Sequence, residues 1–234
     1  MITTIALDYG RVLARPKSFD WFFPRHTMKI LGAGNTLRLM RGRRAAQHTA
    51  HQYLNDNHLL TTEQEEFEQF CEFYRRLLSG CGMTKNLEHA CQTLAQFAVY
   101  DPNKVKVYHD VLSGIAALKE HYRVVIISDT WPSLRSMLEK YGIIVDDLVM
   151  SCDYGHWKSD EGKLFHSAME HHGVVPEETL FADDGVDNLD CAKALGFHTA
   201  LMVRAGWMNN GGHPVVRSMG DVERLANALN SICG

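Results

Sequence analysis

Five short apolar runs constrain this chain more than any other feature: Ile2–Leu7, Arg123–Ser128, Leu148–Ser151, Thr179–Ala182 and Thr199–Val203. They run continuously apolar instead of alternating with polar residues, as strands buried on both faces do. From about residue 108 onward, the stretches between them repeat apolar residues at helical spacing. Val111, Leu112, Ile115 and Ala116 share one face, as do Leu134, Met137, Leu138 and Tyr141. Leu164, Phe165, Ala168 and Met169 form a third such set, and Val222, Leu225, Ala226 and Leu229 a fourth. Strand–helix alternation of this kind predicts an α/β fold, a doubly wound parallel sheet covered by helices on both faces. In such sheets ligands bind beyond the carboxyl ends of the strands.

The first run is separated from the others by a long insert, residues 16–99, with no convincing strand pattern. Within it Phe67, Phe70, Cys71, Tyr74, Leu77 and Leu78 mark an amphipathic helix. Leu87, Ala90, Cys91, Leu94 and Phe97 mark another. The expected organisation is a core of residues 1–15 and 100–234 with a helical subdomain, 16–99, rejoining near Tyr100-Asp101-Pro102. Arg38, Arg41, Arg43 and Arg44 read as a solvated helix face, or as a contact for an anionic substrate tail or another subunit. Trp21, Phe22 and Phe23 belong either to the core of the insert or to a wall over a site. Arg204 to Pro214, rich in Gly and Asn, reads as a loop.

A formal net charge of −4 gives no sign of a nucleic-acid or membrane-surface partner. The opening MITTIALDYG lacks the basic and apolar regions of a signal peptide, and no apolar run reaches the length of a membrane span. A cytoplasmic protein is expected; its oligomeric state is not legible. Cys71, Cys81, Cys91, Cys152, Cys191 and Cys233 show no CxxC pairing, so reduced, mostly buried thiols are expected. The adjacent His171 and His172 are expected to point apart on a helix.

The chemistry gathers where strands end. The first run ends at Asp8, the second at Ser128-Asp129, the fourth at Asp183-Asp184. Taken singly, each would serve well as a turn or helix-cap residue. Taken together on adjacent parallel strands, they converge at one edge, where three carboxylates repel unless a cation offsets them. Oxygen ligands of this kind suit Mg²⁺.

Ile5-Ala-Leu-Asp8-Tyr-Gly10-Arg-Val-Leu13 resembles the first motif of the haloacid dehalogenase (HAD) superfamily. Ile126-Ile127-Ser128-Asp129-Thr130 is similar to the second, Lys158 in Gly155-His-Trp-Lys158-Ser-Asp160 to the third, and Asp183-Asp184-Gly-Val-Asp-Asn188 to the fourth. The resemblance covers residues 1–13 and 105–203, and the insert resembles the helical cap that many such enzymes carry. It implies a hydrolase acting on a small phosphorylated metabolite. Asp8 would be the nucleophile. Mg²⁺ would be held by Asp8, the Gly10 carbonyl, Asp184 directly and Asp183 through water. Gly10, Arg11, Ser128, Asp129 and Lys158 would bind substrate, with Ser128 and Lys158 also acting in the reaction. Asn188 would orient the acidic site.

The sequence departs from the pattern at Gly10, where many of these phosphatases carry a second Asp that moves protons. General acid–base help of that kind contributes about 10²- to 10⁴-fold. The alternatives left open are a leaving group that needs little protonation, such as a sugar 1-phosphate or acyl phosphate, a substitute acid, or a weak or inactive relative with a binding or regulatory role. Dehalogenase and phosphomutase chemistry are further alternatives at the same nucleophile. The acidic pair argues against dehalogenation.

Overall fold

In a computed structural model, residues 1–18 and 20–233 are described; the side chains of Arg43, Ala45 and Cys233 lie outside that description. In chain order the elements are β1 (Thr4–Leu7), β2 (Ala14–Pro16), α1 (Thr27–Leu31), α2 (Ala33–Asp56), α3 (Glu63–Gly80), α4 (Leu87–Tyr100), β3 (Val105–Val107) and α5 (Val111–Lys119). They continue with β4 (Arg123–Ser128), α6 (Leu134–Tyr141), β5 (Asp147–Met150), α7 (Ser151–Tyr154), α8 (Lys163–His172), β6 (Thr179–Asp183), α9 (Val186–Ala194), β7 (His198–Met202), β8 (Val215–Val216) and α10 (Met219–Cys233). The chain divides into two compact units. One holds residues 1–15, 107–130 and 134–234; the other holds 16–106 and 131–133. The insert expected at 16–99 lies inside the second unit. Among the described residues no helix is long and apolar enough to cross a membrane.

The first unit is the expected α/β fold. Its sheet runs β5-β4-β1-β6-β7-β8, and every pairing is parallel. The five apolar runs supply β1, β4, β5, β6 and β7; β8 is an addition at one edge. Side chains alternate across the pleat. Ala6, Val125, Ile127, Val149, Phe181 and Leu201 pack with Leu164, Phe165 and Ala168 of α8 and Leu189 and Ala192 of α9. The alternate residues Ile5, Leu7, Val124, Ile126 and Leu180 are buried on the opposite face. On that side α5 and α10 approach closely because position 114 is glycine: a Cβ there would fall 2.2 Å from the Met219 Cβ. His171 and His172 do not simply diverge, since both reach Tyr154. His171 stacks on its ring at 5.5 Å, and His172 Nε2 lies 2.8 Å from its hydroxyl.

The second unit is helical. Its core joins Phe70, Phe73, Tyr74, Leu77 and Leu78 of α3 to Ala90, Cys91 and Leu94 of α4 and Leu39, Ala50 and Leu54 of α2. Phe23 is part of this core and Phe22 packs against it. The segments leading into and out of the unit, β2 and β3, pair as a two-stranded ribbon. Arg38, Arg41 and Arg44 are exposed on α2, and Arg38 also donates to the Gly82 carbonyl at 2.7 Å. The Arg43 side chain belongs to the undescribed set.

Candidate active site

The strand order explains the convergence. β1 lies between β4 and β6, in register Leu7 to Ile126 on one side and Leu7 to Ala182 on the other. The residues that follow therefore emerge together: Asp8 just past β1, Ser128 at the end of β4, and Asp183 at the end of β6. The Asp8 amide continues the ladder by donating to the Ala182 carbonyl at 2.9 Å.

At the centre lies the Lys158 ammonium, 1% exposed, which donates to Asp8 Oδ1 at 2.7 Å and to Asp183 Oδ2 at 2.5 Å. The Ser128 hydroxyl donates to the same Asp8 oxygen at 2.9 Å. Lys158 comes from the irregular stretch between α7 and α8 and is held by its backbone, whose amide donates to Asp129 Oδ1 at 2.9 Å. Asp183 is fully engaged within the protein: the Gly185 amide reaches Oδ1 at 2.7 Å and the Asn188 amide group reaches Oδ2 at 3.2 Å. Asp184 is more open, with Arg11 3.7 Å away and two-thirds exposed. An ion pair that exposed contributes little energy.

The electrostatics follow from burial. Desolvation pushes the Asp8 carboxyl up to about 7; Lys158 opposes this, while Asp183 and Asp184 reinforce it. Burial works against the Lys158 charge, but Asp183, Asp8 and Asp129 outweigh it and hold the ammonium firmly protonated. Asp184 is raised by burial and by Asp183, and Asp129 by burial against the pull of Lys158. One cation thus faces a surplus of carboxylates. Carboxylate oxygens of Asp8, Asp183 and Asp184 all lie within 4.8 Å of one another. This hard-oxygen donor set, short of positive charge, fits a divalent ion such as Mg²⁺.

Gly10 and Arg11 lie in a tight loop after β1. The Tyr9 carbonyl accepts from the amides of Leu13 and Ala14, and the Arg11 amide donates to Ala14. Arg11 has φ 55°, left-handed backbone that is uncommon outside glycine. Ser151, a residue with no role assigned from sequence, accepts through its hydroxyl from the Thr130 amide at 2.8 Å and steadies the turn after Ser128. A polar residue closing an apolar run was the available signal.

The chain belongs to the haloacid dehalogenase-like hydrolases, whose family profile matches residues 24–196. Asp8 precedes that stretch, so its place rests on the geometry above. The chain is 31% identical over 138 residues to the D-ribitol-5-phosphate phosphatase of Bacteroides thetaiotaomicron, a match spanning 55% of this chain and 63% of the relative. The fold is similar to L-2-haloacid dehalogenase from Xanthobacter autotrophicus, with TM-score 0.66, 19% identity and coverage of 97% and 99% of the two chains. It is equally similar to a magnesium-bound HAD-type hydrolase of Bacillus subtilis, with TM-score 0.66, 14% identity and coverage of 97% and 99%.

Proposed function

We propose that this hydrolase is a cytoplasmic, Mg²⁺-dependent phosphatase that cleaves a phosphate ester of a small metabolite through an aspartyl-phosphate at Asp8. The observation that carries the reading is the buried ammonium of Lys158 shared between Asp8 and Asp183, with the Ser128 hydroxyl on the same Asp8 oxygen. A cation and a hydroxyl fixed beside a carboxylate nucleophile are arranged to receive phosphoryl oxygens, because donors fixed in a buried site stabilise charge developing in the transition state. The relative acting on D-ribitol 5-phosphate makes a phosphorylated polyol or sugar the substrate class to test first.

An Asp8 oxygen attacks phosphorus, the bond from phosphorus to the leaving oxygen breaks, and the departing alkoxide takes a proton from solvent. Water then attacks phosphorus, releasing phosphate and restoring the carboxylate. Splitting the displacement in this way replaces one difficult step with two easier ones. Ser128, Lys158 and amides of the loop through Gly10 and Arg11 hold the phosphoryl oxygens, and Asp129 holds Lys158 in place. Mg²⁺, when bound, supplies positive charge that offsets the repulsion between carboxylate and phosphoryl group. Asp8, Asp184 and the Gly10 carbonyl would hold it directly. Asp183, with both oxygens already engaged by Lys158, Gly185 and Asn188, would act through water. The helical unit would act as the cap; because Gly10 has no side chain to move a proton, an anomeric sugar phosphate, whose leaving group needs less protonation, is tested beside the polyol 5-phosphate.

The deciding experiment is hydrolysis of p-nitrophenyl phosphate, whose leaving group asks little of an acid, by wild type and Asp8→Asn, with Mg²⁺ and with chelator. Wild-type turnover that needs Mg²⁺ and falls on the order of 10⁴-fold in Asp8→Asn is expected. Activity indifferent to Asp8 removes the nucleophile assignment. Metal-independent release of halide from a 2-haloacid would favour the dehalogenase instead. A folded wild type inert to both would favour a binding or regulatory role.

A further inference from the structure

We propose that Arg204 is a positioning residue that fixes the shape of the loop following the nucleophile, an inference that rests on Asp8 being the nucleophile proposed above. Arg204 leaves the end of β7 and lies only 7% exposed. Its Nε and Nη2 both donate to the Val12 carbonyl, at 2.9 and 2.7 Å. Its Nη1 donates to both oxygens of Asp110, each at 2.8 Å. The guanidinium lies over the Tyr108 ring, 4.5 Å from its centre. Asp110 in turn accepts from the Met219 amide at 2.8 Å, and the Tyr108 amide donates to Leu13 at 3.0 Å. A single side chain therefore links the loop after β1 to the starts of α5 and α10.

The loop needs such an anchor. Val12 and Leu13 are fully buried, and a buried carbonyl left without a donor is costly. Arg11 holds the left-handed conformation within the same turn. Only Arg11 separates Gly10 from Val12, so the direction of the Val12 carbonyl constrains the Gly10 backbone. Only a planar fork can serve one carbonyl with two donors while gripping a carboxylate with a third; a lysine ammonium cannot. Sequence reading placed Arg204 at the start of a loop and gave it no role.

The test compares Arg204→Lys with Val174→Ala. The latter opens a cavity in the buried cluster packed by α8 and α9, at a residue that is not among the partners of the fork. For each variant, kcat on p-nitrophenyl phosphate, Mg²⁺ affinity by calorimetry, thermal midpoint, and hydrogen exchange at the Tyr9–Ala14 amides are measured. In Arg204→Lys, kcat should fall about 10- to 100-fold, as expected for a misplaced reacting group, with weaker Mg²⁺ binding and faster exchange confined to that loop. Val174→Ala should lose comparable thermal stability and keep kcat within about threefold of wild type, because a core cavity away from the reacting groups leaves their geometry intact. Equal loss of kcat in both variants at equal loss of stability would overturn the inference. So would unchanged loop exchange in Arg204→Lys. If the wild type has no phosphatase activity, the functional reading fails by itself, and loop exchange still decides the role of Arg204.

Discussion

Each unit of this protein buries a carboxyl group whose pKa burial pushes up to about 7, Asp8 in the α/β unit and Glu66 in the helical one. Their surroundings differ. Asp8 meets a buried ammonium from the loop before α8 and two further carboxylates from the end of β6. Glu66, on α3, accepts from the amide and hydroxyl of Ser133 at 2.7 and 2.8 Å, both neutral donors from one short segment. Three positions along α3, Gln69 accepts from the Trp131 indole at 2.8 Å, and the Trp131 ring packs against Phe70 and His58. Lys104 supplies charge only at longer range, its own pKa depressed by burial. The first arrangement carries more negative charge than its one buried ammonium neutralises, as the proposed site for a divalent ion and a phosphoryl group would. The second is satisfied as it stands and works as a structural clamp on residues 131–133.

The largest expected effect breaks the charged arrangement. Replacing Lys158 by Met leaves Asp8 and Asp183 buried without their partner. Removing one member of a buried ion pair typically costs about 3–5 kcal/mol, because the remaining charge is uncompensated. Urea unfolding of Lys158→Met in chelator should show a loss of that size, with much of it recovered on adding Mg²⁺, which binds only the folded state. A loss below about 1 kcal/mol, the size of a surface pair, would mean that the Lys158 contacts resemble surface ion pairs and that the contrast with Glu66 is unfounded.

The same contrast governs what the sequence revealed. In the α/β unit, fold and chemistry share one signal, since a buried parallel strand is a run of apolar residues and the polar residue that ends it marks the ligand-binding edge. Hence Asp8, Ser128, Asp183 and Asp184 were visible before any coordinates. Lys158 follows no strand and needed the family resemblance to stand out. The helical unit offered less. α3 and α4 show clean apolar stripes, but α2 is interrupted by arginines and small residues, so its sequence points only to a solvated helix face around Arg38 to Arg44 and leaves its buried side unmarked. Glu66 was invisible because its partner Ser133 is 67 residues away in sequence. Arg204 was hidden for the same reason, its partners Val12 and Asp110 lying 192 and 94 residues back. The ribbon β2-β3 and the edge strand β8 are too short to leave a periodic pattern.

A smaller effect, of about 2 kcal/mol, tests the neutral clamp through pH. The folded-state pKa of Glu66, about 7, lies above its ordinary value of 4.5. The folded protein therefore holds a proton that the unfolded chain releases between those values. The stabilisation is complete below about pH 4.5 and disappears as pH rises through 7. Glu66→Gln keeps the shape and cannot titrate, so the difference between wild type and variant isolates this group from Asp8. Between pH 5.5 and pH 8, denaturant unfolding should show wild type losing about 2 kcal/mol relative to Glu66→Gln, at 1.36 kcal/mol per pKa unit. A flat difference curve would mean that Glu66 keeps one protonation state from pH 5.5 to pH 8 and that its titration does not set the strength of the clamp.

The smallest effect concerns how the helix bearing Glu66 begins. α3 opens with a capping box: the Thr62 hydroxyl accepts from the Glu65 amide at 3.2 Å, and the Glu65 carboxylate accepts from the Thr62 amide at 2.9 Å. The backbone amides of Thr61 and Thr62 hold that exposed carboxylate down at about 2. Reciprocal caps satisfy amides that the first helical turn leaves without intrahelical partners. Thr62→Ala removes the hydroxyl, and such changes cost about 1 kcal/mol. If the helical unit and the α/β site are coupled only through stability, the variant should lower the thermal midpoint by a few degrees and leave kcat on p-nitrophenyl phosphate unchanged. A fall in kcat at temperatures where the variant is fully folded would show that the start of α3, one turn before Glu66, sets the position of residues 131–133 and through them the turn after Ser128. The two buried carboxyls would then belong to one working mechanism.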